Sequence, residues 1–146
     1  EKDLYNFFKE YVSKYKKPID QSKESVLLKS MGFLKNKAKT LEDIWNNAQY
    51  IINDKIDIGA DDKKLIDDLS KKVINDFISE YEKLSSLSRE VLEPIIKSLI
   101  DKHKTNFKGV GQPLRIALVG SRFGPGLYDV ILSLEKSEVI KRLKQI

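Results

Sequence analysis

The residue types best suited to recognition chemistry lie together near the carboxyl end. The stretch Gln112–Leu143 reads QPLRIALVGSRFGPGLYDVILSLEKSEVIKRL. Arg115 and Arg122 each offer a planar fork of donors that can pair with a base edge, and Phe123 and Pro125 offer apolar faces on which an unstacked base can lie. Gly124 and Gly126 permit backbone conformations closed to other residues and let another surface come close. The same residues also make an ordinary turn between two helices, since Gly and Pro are the default turn formers. Residue types alone leave both readings open.

No other constellation points to catalysis. His103 is the single histidine, and with no cysteine it has no partner of its kind for a metal. It reads as a helix-end histidine. Asp61-Asp62 and Asp67-Asp68 are adjacent pairs, and neighbours on a helix point different ways, so they read as caps and solvated groups. Gly120-Ser121-Arg122-Phe123-Gly124 is too short for a phosphate-binding loop and lacks its Gly-Lys-Ser/Thr ending; a dinucleotide fingerprint and a G-x-S-x-G elbow are likewise missing. The expectation is no catalytic residue and no metal site.

The elements that carry this stretch read as helices. Leu4, Phe7, Phe8, Tyr11, Val12 and Tyr15 share one helical face, which Pro18 closes. A second helix starts near Asp20 or Ser22 and carries Leu27, Met31 and Leu34. Thr40 with Asp43 resembles a capping box, opening a third helix with Leu41, Ile44, Trp45, Ala48, Ile51 and Ile52 inward. Residues 54–62 read as a loop. Asp61 or Asp62 then caps a long fourth helix, and Ser86 or Ser88 a fifth, which Pro94 kinks or delays. Residues 106–112, with two glycines, read as a linker. Leu114–Val119 fits a buried strand, or a helix with Pro113 at its first position and Gly120 past its end. Residues 127–134 and 137–145 make two closing helices, the last capped by Ser137.

Composition narrows the class. The chain has 146 residues, 40% hydrophobic and 34% charged, enough for one domain or two small helical ones. The absence of cysteine excludes disulfides and thiolate metal sites, and agrees with a reducing compartment. No run approaches the roughly 18 apolar residues of a membrane span. The opening Glu1-Lys2-Asp3 has neither an initiator Met nor a signal pattern, and the chain reads as a fragment. The net charge of +5 is uneven: residues 9–39 hold nine basic and three acidic side chains, 40–101 hold eight and fourteen, and 102–146 hold nine and three. Brought together, the basic ends would suit a polyanion; apart, they are solvated lysine-rich faces.

Three motifs in order, P-L-R-I-A-L-V-G-S from Pro113, G-P-G-L from Gly124 and L-E-K-S-E-V-I-K-R-L from Leu134, resemble the carboxyl end of bacterial glutamyl-tRNA synthetases. That family reads P-L-R-x-A-L-T-G-x, a Pro-Gly or Pro-Pro turn, and L-G-K-E-x-x-x-x-R-L. Upstream, Lys37-Ala38-Lys39-Thr40-Leu41-Glu42-Asp43-Ile44 is similar to the family's R-x-x-T-L-x-E. The resemblance covers essentially the whole chain, but only these segments are specific. It implies an all-α anticodon-binding region made of two packed helical subdomains, expected here at residues 1–105 and 106–146. It also turns Leu114–Val119 into helix.

The resemblance implies roles residue by residue. Arg115 matches the arginine that contacts the middle anticodon base. Gly124, Pro125 and Leu127 match the turn that packs on the first base, and Lys37 a basic position, often arginine, that reads the third. Lys35, Lys39, Arg122, Lys141, Arg142 and Lys144 are then candidates for phosphate contact. Lysine is a point charge where arginine is a fork, so Lys37 reads its base less sharply and admits tRNA-Gln beside tRNA-Glu. Val119 stands for the family's Thr, and Glu135, expected to face solvent, for its Gly. The implied parent is a monomeric cytoplasmic glutamate–tRNA ligase that uses ATP and Mg. Its ATP-binding motifs are not in this sequence, so this fragment is expected to be inactive alone and to hold no cofactor. A helical protein-interaction module and a non-specific RNA-binding domain are the alternatives.

Overall fold

Lys2–Tyr15 forms α1, but its buried residues are Tyr5, Phe8 and Val12; Phe7 and Tyr15, expected on the same face, are exposed. The computed structural model describes residues 2–36 and 38–146. Asp20 caps a 3-10 turn, Gln21–Lys23, that leads into α2, Glu24–Leu34. The capping box forms as expected: Thr40 accepts from the Asp43 N–H, and the Asp43 carboxylate accepts from the Thr40 N–H. It opens α3, Leu41–Asn47, and Ala48 carries the chain into α4, Gln49–Ile52. Glu42 accepts from the Tyr11 hydroxyl and, at 2.9 Å, from Lys16 Nζ, which ties α3 to α1. Leu27, Met31, Leu34, Ile44 and Ile51 complete this core.

The chain divides into two compact units, residues 1–55 and 56–146. The boundary expected at 105/106 falls inside the second unit instead. The reason is local. Asn106 accepts from the Gly109 N–H at 2.9 Å and starts α8, Phe107–Val119, so the expected linker is the first half of a helix. Its glycines answer close packing rather than flexibility. A Cβ on Gly109 would lie 2.0 Å from Thr105 Oγ1, and one on Gly111 would lie 3.1 Å from the Phe107 ring and 3.5 Å from Leu127. Pro113 thus sits inside α8, not at its first position.

The second unit opens with α5, Ala60–Lys63, a single turn. The long helix that follows, α6, Asp68–Glu82, is capped not by Asp61 or Asp62 but by Asp67, which accepts from the Ser70 N–H at 2.8 Å. Then come α7, Arg89–Lys102, running unbroken through Pro94, and after α8 the helices α9, Leu127–Ser133, and α10, Lys136–Lys144. The N-cap of α10 is Glu135 rather than Ser137, and Glu135 is exposed. Helix α8 packs against α6, α7, α9 and α10, so its apolar residues are buried nearly all round. Phe77, Tyr81, Leu92, Ile96, Leu114, Ile116, Val130 and Leu143 fill the core. Among the described residues the architecture is all-α, with Leu114–Val119 as helix, and no helix is long and apolar enough to cross a membrane.

Candidate nucleic-acid interface

Helix α8 ends at Gly120, the one residue able to turn the chain there at low cost. Its φ is +87°, in the left-handed region, and its N–H closes the helix on Ile116 O at 2.8 Å. A Cβ at this position would lie 2.7 Å from Asp57 O and 2.8 Å from Ile56 Cγ2. The left-handed cap throws residues 121–126 out as a loop beside the last turns of α8.

Arg115 lies on those last turns and is partly buried. Its Nη1 donates to Arg122 O at 3.2 Å, while Nε is buried with no partner among the described residues. Desolvation pushes its pKa below the usual guanidinium value. Arginine remains charged under any ordinary condition, so burial leaves a cation short of partners rather than a neutral group.

Asp62 anchors the loop from the other side. Its carboxylate is 15% exposed and lies 3.3 Å from Arg122 Nε, and Oδ1 also accepts the Arg122 N–H at 3.4 Å. The Nε proton is not aimed at the oxygen, so the side-chain contact is an ion pair without a hydrogen bond. The Arg122 guanidinium lies 5.2 Å from the Phe123 ring centroid, a cation–π distance. The Phe123 N–H donates to Ser121 Oγ at 3.0 Å. Gly124, at φ +137°, is exposed, and a Cβ there would meet only Val119 Cγ2 at 3.9 Å.

The structure thus brings Arg115, Arg122 and the Gly124-Pro125-Gly126 turn together, and it redraws two expectations. Leu127 is only 2% exposed and belongs to the core, so its side chain supports the turn from beneath. Arg142, expected at a phosphate, is 3% exposed; it pairs with Glu138 at 2.8 Å and donates through Nη1 to Leu118 O at 2.8 Å, sealing the end of α8. Lys141 and Lys144 are exposed, Lys144 lying 3.5 Å from Glu82. In the first unit Lys35 and Lys39 are exposed on the stretch before α3. Lys37 lies outside the described residues.

Two residues carry more of the site than the sequence reading gave them. Asp62 looked like a helix cap but grips the loop; nothing local in sequence links it to a residue sixty positions on. Lys136 donates to Glu82 O at 3.0 Å and Leu84 O at 2.6 Å, closing the end of α6 as Arg142 closes α8. Two basic residues of the final motif, Lys136 and Arg142, are therefore helix-end caps. Among the described residues, no cluster of His, Asp or Glu is arranged to hold a metal ion.

Comparison with known proteins identifies the family. The family model described as an anticodon binding domain matches residues 3–146. The glutamate–tRNA ligase of Pelagibacter ubique is 53% identical over 143 residues, 98% of this chain and 31% of that protein. A glutamate–tRNA ligase of Syntrophus aciditrophicus is 35% identical over 115 residues, 77% of this chain and 24% of that one. The chain therefore spans about a third or less of the curated relatives it matches. The crystal structure of a glutamate tRNA ligase from Elizabethkingia meningosepticum superposes with a TM-score of 0.79 at 21% identity, covering 99% of this chain and 28% of that one.

Proposed function

The chain belongs to the anticodon binding domain family, and from that premise we propose that it reads the anticodon loop of tRNA-Glu for a glutamate–tRNA ligase. The parent enzyme joins glutamate to tRNA at the expense of ATP, with Mg, in the cytoplasm and as a monomer. Correct docking here sets the acceptor end of the tRNA in a catalytic domain that this stretch of chain does not include.

The observation that carries the reading is the Arg115 guanidinium, partly desolvated and tethered by Nη1 to Arg122 O beside an open glycine turn. A cation held that way loses little freedom on meeting a base edge, and its unpartnered Nε supplies a reason to bind. Arg115 contacts the middle base of the anticodon. The backbone of Gly124 and Pro125, supported by Leu127, packs on the first base. Lys37 meets the third base, and a point charge there tolerates tRNA-Gln as well as tRNA-Glu. Lys35, Lys39, Lys141 and Lys144 neutralise phosphates and make affinity fall with salt. Arg122 is committed to Asp62 and contributes through the loop it holds.

A salt titration of the chain with the anticodon stem-loops of tRNA-Glu and of a non-cognate tRNA tests the proposal. Preference for the tRNA-Glu stem-loop supports it. Equal binding marks a non-specific RNA-binding domain, and no binding at low salt marks a protein-interaction module; either result overturns it.

A further inference from the structure

Phe123 is 71% exposed, the most exposed large hydrophobic side chain among the described residues. A single exposed phenylalanine is ordinary on a protein surface. This one is not free to reorient with a floppy loop. Its own N–H is held by Ser121 Oγ, the residue before it is gripped through both backbone and side chain by Asp62, and that residue's carbonyl is held by Arg115. The ring carries the Arg122 cation 5.2 Å from its centroid. The residue after it is an exposed glycine, whose added Cβ would touch only Val119 Cγ2, at 3.9 Å. An anchored aromatic ring, a cation against it and an unobstructed neighbour are what a flat, electron-rich partner needs.

We propose that Phe123, braced by the Asp62–Arg122 pair, is a stacking platform for one anticodon base of the bound RNA loop. It rests on the anticodon-reading proposal and adds to it a contact that discriminates flat bases from none, independent of base identity. Every base has a π-face, so the platform contributes affinity and register, while Arg115 contributes sequence.

The test uses the 146-residue chain with the tRNA-Glu anticodon stem-loop and three copies of it, each made abasic at one anticodon position. Phe123→Leu keeps the apolar bulk and removes the π-face. It is expected to weaken binding to the intact stem-loop about tenfold, whereas Phe123→Trp stays within about twofold of the parent. With one of the abasic RNAs, the parent and Phe123→Leu are expected to bind equally, which identifies the stacked base. Unchanged binding by Phe123→Leu, or an equal penalty on all three abasic RNAs, overturns the platform. Arg115→Ala on the same RNAs separates the two proposals. Loss of base discrimination there, with Phe123→Leu silent, sinks the platform alone; no effect of either variant sinks the anticodon reading as well.

Discussion

Arg115 Nη1 donates to the carbonyl of Arg122 at 3.2 Å, so the side chain of one arginine holds the backbone of the other. The bond crosses the left-handed cap at Gly120 and joins the end of α8 to the loop it releases. Asp62 grips the same residue from the opposite direction. Arg115 and the loop that Arg122 opens are therefore one mechanical unit.

Arg115→Ala is expected to weaken binding of the tRNA-Glu stem-loop and to erase preference at the middle base, a loss of about 1–3 kcal/mol in discrimination. Arg115→Lys keeps the charge but not the fork. It should retain the salt dependence and lose most of the discrimination. Stem-loops varied at the middle base, measured by fluorescence titration, check both. If Arg115→Ala separates cognate from swapped loops as well as the parent does, the role given to Arg115 is wrong.

Lys37→Arg is expected to sharpen reading of the third base. In the parent ligase this would lower charging of tRNA-Gln relative to tRNA-Glu. Strict rejection of tRNA-Gln by the enzyme carrying Lys37 would remove the basis for that expectation.

Gly120→Ala places a side chain at φ +87° and against Asp57 O. The left-handed conformation alone costs roughly 1–2 kcal/mol, and the clash adds to it. Gly59→Ala is the control: the new Cβ would meet only Asp62 Oδ2, at 3.9 Å, and stability should change by less than about 0.5 kcal/mol. Urea midpoints for the two variants give the comparison directly.

Arg142→Met and Lys141→Met differ by one position and should differ in kind. Arg142→Met leaves the Leu118 carbonyl without its donor and is expected to destabilise the second unit by about 1–3 kcal/mol. Lys141→Met should leave stability alone and reduce the slope of log affinity against log salt by about 1. The reverse pattern would return Arg142 to the phosphate surface.

The pH response follows from the caps. Ser70 holds the Asp67 carboxyl below the usual aspartate range, and the N–H groups of Lys39 and Thr40 do the same for Asp43. A carboxyl with a lowered folded-state pKa stabilises above its unfolded value, about 3.9, and that contribution disappears as pH falls through the lowered value. Melting temperature should thus stay level with pH near neutrality, where these caps contribute fully, and drop under acid. Asp67→Asn should flatten part of the drop; an identical acid profile would mean the cap is not coupled to stability.

What the sequence made legible follows a physical divide. The capping box at Thr40 and Asp43, the existence of α1 and the turn at Gly124 are local, and local chemistry is written in neighbouring residues; which face of α1 is buried is set by packing, so Tyr5 lies inside and Phe7 outside. The first half of α8 was hidden because Gly109 and Gly111 weigh toward a linker; only their contacts with Thr105, Phe107 and Leu127 show why small residues serve a helix there. Arg142 and Lys141 are indistinguishable as charges, and one is buried only because of where α10 lies against α8. Asp62 reaches Arg122 across sixty residues, a distance no spacing argument spans.

Lys136 and Arg142 seal the ends of α6 and α8, and both come late in the chain. Lys136 follows Leu84 by 52 residues, and Arg142 follows Leu118 by 24. The carbonyls of Glu82, Leu84 and Leu118 therefore gain these side-chain donors only once α10 is in place. The helix that carries Arg115 is thus completed by a residue that comes later in the chain, and a chain cut before α10 would leave the Leu118 carbonyl without that donor.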